Sequence, residues 1–297
     1  MFEITALAVL PNPSGQSSQK IVQYLVGQVP ITLPPFLAAL TLSGSNGGGN
    51  PGFHAPASNN VYAVKGDGDQ DCNGNPVASK AAIGIYGDYP GNSYNSAVNG
   101  VIGGIPGPRQ SKYTGSGAAP DVEPLPGPFQ TPSQLDAIAQ TIVQNADVVI
   151  NPGASTAHST DLAGPTSAMS PSNPLTIAVT GNLDITNWGV QGHGLLLVTG
   201  TFTYDPDTNW DGIILVIGQG AVNGLATTYA NIINGAVFVA TTRDAGGNLL
   251  PDPNLGGASV QFSDPMNGFG IQYSSCWIQK AQPTSNYRIL SFHEISQ

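Results

Sequence analysis

Charge is the scarcest commodity in this 297-residue chain: only 9% of residues are Asp, Glu, Lys or Arg, and 8 bases face 18 acids for a net charge of −10. A typical soluble domain carries about 25% charged residues, so Asn, Ser, Thr, Gln and backbone must solvate this surface. Eight scattered cations on an acidic background cannot neutralise a run of phosphates, which excludes nucleic acid as a partner. Long apolar runs are missing too. Ile4–Leu10 is too short to cross a membrane, and Leu33–Leu42 carries Pro34 and Pro35, so no membrane span is expected. The start, Met1-Phe2-Glu3, lacks the basic leading region of a signal peptide. Only Cys72 and Cys276 are available for thiol chemistry. They read as two unrelated buried thiols or, in an oxidising compartment, as one long-range disulfide.

Glycine (38) and proline (25) are plentiful, together about a fifth of the chain against a usual ~12%. Such frequent punctuation argues against long helices and coiled coils. Phe2–Leu10 and Ile21–Val26 read as strands separated by the turn cluster Pro11–Gly15. Gly44–Pro56 and Gly100–Gly107 read as loops. Val61–Val64 and Ala82–Tyr86 are short strands, and Pro106–Pro108 and Pro120–Pro128 should be extended. One helix is predicted from Thr131, a good N-cap followed by Pro132 and Gln134. Leu135, Ile138, Ala139, Ile142 and Val143 give it one apolar face, and Val148–Ile150 leaves it as a strand.

The C-terminal third carries a degenerate repeat. Val179, Val198 and Val216 stand 19 and 18 residues apart, and Val237 follows 21 residues later. The last three runs are led by Gly194, Gly212 and Gly235, and they are continuously apolar rather than alternating, as strands covered on both faces must be. A period near 20 with one such strand per repeat predicts a mainly β fold: a right-handed parallel β-helix, β-solenoid-like, in the C-terminal region, with one packed amphipathic helix. The alternative is an antiparallel β-sandwich. The expected organisation is an irregular, Gly/Pro-rich β region over 1–130 and a helix plus solenoid domain over 131–297.

Several motifs occur in order along the chain: Thr131–Asp136, Gly192–Tyr204, Trp210–Gly220, Asn234–Ala240, Gly270–Trp277 and Leu290–Ile295. In these the chain resembles PilX-type pilus-assembly proteins, well from about Gln130 onward and loosely before. The resemblance implies an envelope-associated or extracellular protein with a large extracytoplasmic domain and no catalytic residues to carry over. The hydrophobic pilin-type N-terminal helix of that family is absent from this sequence. The implied role is a non-enzymatic cell-surface or pilus-associated structural protein, adhesin-like, with pilus or envelope proteins and surface glycans as partners.

Calcium is the one cofactor the residues suggest. Asp67, Asp69 and Asp71 alternate in Asp67–Gly74, although Cys72 stands where a calcium loop wants glycine. In Asp205–Gly212, Asp207, Asn209 and Asp211 take positions one, three and five of such a loop, with no closing acid at Gly218; Asp205 lies just before them, and solenoid corners use the same residue types. Asp205, Asp207 and Asp211 also admit the alternative of a β-helical carbohydrate-active enzyme, a glycosidase or lyase, which needs two facing carboxylates. His54, His158, His193 and His293 show no ligand spacing and are expected to be structural or exposed. Trp188, Trp210 and Trp277 are expected to pack in the core or at turns rather than stack on a ligand.

Overall fold

A computed structural model describes residues 2–295 except 11–17, 58–60, 91–92, 187, 190, 206–208, 226–230, 265–267 and 286–287. The turn cluster Pro11–Gly15 and Asp207 therefore lie outside the described residues. By contacts the chain divides into two units, Met1–Ile31 with Pro283–Gln297, and Thr32–Gln282.

The first unit is an antiparallel three-stranded sheet. Strands β1 (Phe2–Leu10) and β2 (Ser18–Gly27) pair residue for residue from Phe2↔Val26 to Leu10↔Ser18. The last strand, β20 (Arg288–Ile295), lines the other side of β2 with a bulge beside Leu25/Val26.

The second unit is built on two parallel sheets. The larger follows the order β9 (Val148–Ile150), β11 (Leu175–Val179), β13 (Gly192–Val198), β15 (Trp210–Gly218), β17 (Ile232–Thr241), β19 (Gly270–Tyr273), β5 (Ala63–Lys65) and β7 (Tyr113–Thr114). At β17 it branches: β3 (Ala38–Ser43) pairs with the C-terminal half of β17 and continues into β6 (Ala81–Tyr86) and β8 (Val122–Leu125). That makes eleven strands. A six-stranded parallel sheet runs β10 (Thr156–His158), β12 (Asn182–Asp184), β14 (Thr201–Tyr204), β16 (Ala221–Gly224), β18 (Ser259–Phe262) and β4 (Gly52–His54).

The glycine-led runs are the centre of the large sheet, paired in register so that Gly194, Gly212 and Gly235 stand in one row. Their continuous apolarity follows from cover on both faces. Leu196, Val198, Ile214 and Val216 share a core with Phe202, Val222 and Val260 of the smaller sheet. Alternate residues point the other way, and Leu195, Leu197, Ile213 and Leu215 are equally buried on the side roofed by helices. Helix α2 (Pro132–Asn145) packs on β11, β13 and β15, burying Leu135, Ile138 and Ile142, and α4 (Ser275–Lys280) packs on β13, β15 and β17. Thr131 caps α2, its Oγ1 accepting from the Gln134 amide.

The solenoid expectation is thereby corrected. The structure is mainly β with parallel sheets of eleven and six strands and several helices, an α/β-type arrangement, rather than a right-handed β-helix or β-solenoid with one packed helix. Two features overturn it. The large sheet branches at β17, where the strand-pair addition of β3 comes from the N-terminal half of the chain, and its second face is roofed by helices. The antiparallel sandwich is excluded because every ladder in the two large sheets is parallel. Three local expectations also change, the first being Gly44–Pro56, read as a loop, which contains strand β4 paired to β18. Helix α1 (Tyr94–Gly103) occupies part of the glycine-rich stretch, burying Ala97 and Val101 against β4, β6 and β8, and Gly107–Lys112 forms a 3-10 turn. Packing overrides weak local propensity there. A short helix, α3 (Ser159–Ala163), was likewise unforeseen; its start is fixed by Asp161 accepting from the His158 amide.

Candidate functional site

The glycine row requires glycine for a steric reason. Gly212 has φ +141°, and a Cβ there would lie 2.1 Å from the Gly194 carbonyl oxygen. One residue before the glycines the same register aligns polar side chains: His193↔Asp211↔Asn234↔Gln272↔Lys65. Cross-strand neighbours in register lie about 4.8 Å apart, close enough for side chains to bond laterally.

Asp211 is the hub of this row and is buried. Its Oδ2 accepts from Gln191 Nε2 at 2.7 Å and its Oδ1 accepts from Asn234 Nδ2 at 2.8 Å. His193 Nδ1 stands 3.3 Å from Asp211 Oδ2 without hydrogen-bonding geometry. Only 3% of His193 is exposed. Burial pushes its pKa below the ordinary value of 6.5, the Asp211 carboxylate works in the opposite direction, and the Lys280 ammonium lowers it further. The ring is covered by Trp277 of α4, with centroids 5.6 Å apart and planes inclined at 32°. The Lys280 ammonium lies over the Trp277 ring, 4.3 Å from its centroid, a cation–π arrangement.

Helix α4 is fastened over the row at its N-terminal end. The Cys72–Cys276 disulfide ties it to the 67–75 loop, Asp69 Oδ1 accepts from the Ser275 amide at 3.0 Å, and Ser274 Oγ accepts from the Trp277 amide. The loop is braced in turn. Gln272 Nε2 donates to the Asp67 carbonyl at 2.7 Å, and Thr114 Oγ1 donates to Asp67 Oδ1 at 3.0 Å. Asp71 Oδ1 accepts from the amides of Asn73 and Asn75, each at 2.8 Å, and Oδ2 from Asn75 Nδ2 at 2.9 Å. The Asn75 side chain first, then these amides, hold the Asp71 carboxyl below the usual carboxylate range.

Apart from Asp207, which lies outside the described residues, the candidate calcium residues take separate local hydrogen-bond partners or join the polar row. Asp67, Asp69 and Asp71 spend oxygens on separate local donors, while Asp69 Oδ2 is buried without a hydrogen-bond partner. Asn209 Oδ1 accepts from the Ile232 amide at 2.9 Å, Asp205 is buried, and Asp211 belongs to the polar row. Among the described residues no group of three or more His, Cys, Asp or Glu side chains converges as a metal site.

Of the histidines, His54, His158 and His293 are exposed and His193 alone is buried. Trp188 and Trp210 pack against each other in the core at 6.3 Å, and Trp210 Nε1 donates to the Gly194 carbonyl at 3.2 Å. Gln191, Asn234, Gln272 and Lys280 were not singled out from the sequence. The available signal was the polar residue directly before each leading glycine, in His193-Gly194, Asp211-Gly212 and Asn234-Gly235.

A second feature lies where the strands of the two sheets turn into each other. An open depression of about 530 Å³ is lined by Thr180, Asn182, Thr199, Gln219 and Arg243, among others. An adjoining one of about 480 Å³ shares Gln219 and Arg243 and adds Asp244. The Arg243 guanidinium is already engaged, donating from Nε and Nη2 to the two Asp136 oxygens of α2 at 2.8 Å each and from Nη1 to the Gly247 carbonyl at 2.8 Å. The groove is therefore polar but close to neutral.

No helix among the described residues is long and apolar enough to cross a membrane. Comparison with protein families, curated proteins and solved structures found no match to this chain.

Proposed function

We propose that this chain is a non-enzymatic structural or assembly protein of the cell envelope, pilus-associated and adhesin-like, which works by holding a rigid polar body outside the cytoplasm. The observation that carries the reading is the Cys72–Cys276 clasp across 204 residues of sequence. Structural disulfides persist in oxidising compartments and are rare in the cytosol. The polar row supports the same reading. Both Asp211 oxygens are bonded by amides and His193 is shielded by Trp277, which suits a braced interior better than a site of turnover. Pilus or envelope proteins and surface glycans are the partners in this reading, and the near-neutral groove around Gln219 and Arg243 offers amide and hydroxyl groups of the kind that meet sugar hydroxyls.

The alternative reading, a carbohydrate-active enzyme, finds less support in the groove. Glycoside hydrolysis needs two carboxyl groups flanking the bond, and Asp244 is the one acid among the lining residues of both depressions, so binding is the better-supported use. The envelope reading is tested by protease treatment of intact cells combined with thiol trapping at lysis. Cleavage from outside with both cysteines blocked is the expected result; protection of the protein with both thiols free to alkylate overturns it.

A further inference from the structure

The geometry points to a buried site for a small monovalent anion, held between Arg109 Nε and Tyr113 Oη in the aromatic cluster beside β5 and β7. Arg109 lies in the 3-10 turn Gly107–Lys112 and is only 3% exposed. Its Nη2 donates to the Tyr62 carbonyl oxygen at 2.6 Å, while its Nε is buried without a hydrogen-bond partner. Arginine keeps its charge in folded proteins and offers five N–H donors, so this turn carries a cation into the core. Arg243 shows how the same group is compensated elsewhere in the fold. It is more open, and Asp136 meets its guanidinium with both oxygens at 2.8 Å. The chain has 18 acids, yet among the described residues none stands within ion-pair distance of Arg109.

The neighbouring side chains do not supply the missing charge. Phe53, Tyr62, Tyr113, Tyr204 and Phe262 belong to one buried core, with Phe53 edge-on to Tyr113 at 5.8 Å and Phe262 4.9 Å from Tyr62. The hydroxyls of Tyr62 and Tyr204 meet each other at 3.4 Å. That of Tyr113 is buried without a partner. Burial pushes the Tyr113 phenol up, and the charge of Arg109 opposes that shift without reversing it, so the group is an O–H donor and not a phenolate. Two unpartnered donors, one of them cationic, therefore stand in one apolar enclosure. A water would satisfy their hydrogen bonds and leave the charge unpaired, and an unpaired buried charge is the costlier fault. That selects an anion. Space selects a small one: the cavity against Tyr62 and Tyr204 is about 10 Å³, room for about one water-sized body, which suits a halide and rejects phosphate or sulfate. This inference is independent of the envelope role.

The test compares melting of the full chain in sodium bromide and in sodium gluconate at equal ionic strength, so that general screening cancels. Bromide should raise the melting temperature along a saturating curve, by about 5 °C at a hundredfold excess over Kd. Gluconate, too large to enter, should not. Tyr113→Phe keeps the ring and removes the hydroxyl, and should weaken the bromide response about tenfold or more. Arg109→Met should abolish it. Because that variant could misfold, a bromide soak of wild-type crystals is the companion measurement, with an anomalous-scattering peak expected beside Arg109 Nε. Equal melting in the two salts, a wild-type bromide response in Tyr113→Phe, or a soaked crystal with only water at Arg109 overturns the proposal.

Discussion

The sheet centred on β13 and β15 and the sheet formed by β1, β2 and β20 both carry large aliphatic side chains, and they differ in what covers them. In the first, every residue of Gly192–Val198 and Trp210–Gly218 is buried, between the smaller sheet on one side and α2 and α4 on the other. In the second, Phe2–Val9 are all exposed. Burial is worth roughly 25 cal/mol per Å² of apolar surface removed from water, so aliphatic side chains contribute heavily in one place and little in the other. Cover, rather than strand propensity, decides where this protein's stability resides.

The largest expected break in that comparison is between Leu215→Ala and Ile4→Ala. Leu215 is fully buried, and its truncation should lower unfolding free energy by about 2–5 kcal/mol. Ile4→Ala, measured in the same denaturant titration, should stay within about 0.5 kcal/mol because Ile4 is half exposed. Next comes the clasp. Replacing both cysteines (Cys72→Ser with Cys276→Ser) opens a 204-residue separation and should cost about 2–4 kcal/mol, read as a lower denaturant midpoint that reductant no longer changes. The glycine row follows. Gly212→Ala forces a Cβ onto the Gly194 carbonyl at positive φ and should cost about 1–3 kcal/mol, whereas Gly52→Ala, with open space around it, should be close to silent.

The smallest effect sharpens the comparison through pH. His193 is held below its ordinary pKa in the folded state, chiefly by burial, so the unfolded chain binds a proton more readily. Stability is therefore present above about pH 6.5 and is lost as pH falls through the folded-state pKa. His193→Gln should flatten that acid-side decline in melting temperature.

Much of this was legible locally. Phe2–Leu10 is a strand with the bounds its composition suggests, and Thr131, Pro132 and the 3-4 spacing of Leu135, Ile138 and Ile142 place α2. Propensity, capping and periodicity all agree in those segments. Helix α1 was hidden because Asn, Ser and Gly in Tyr94–Gly103 oppose a helix locally, and Ala97 and Val101 repay it only through contacts distant in sequence. The branch at β17 was hidden for the same reason: the partners Leu40 and Val237 stand nearly two hundred residues apart. The polar row was half visible, since His193, Asp211 and Asn234 precede the glycines, but nothing in one sequence aligns Gln272 and Lys65 with them.

By itself, then, the amino-acid sequence determined which segments are extended, where α2 begins and which runs demand cover on both faces, because those follow from short-range sterics and hydrophobic pattern. Tertiary structure alone decided what provides the cover, which strand from the N-terminal half enters the large sheet, that Cys72 meets Cys276, and that one sheet is left uncovered. Each of those depends on pairings across long stretches of chain, whose free energy is set by the whole arrangement and by no local window of residues.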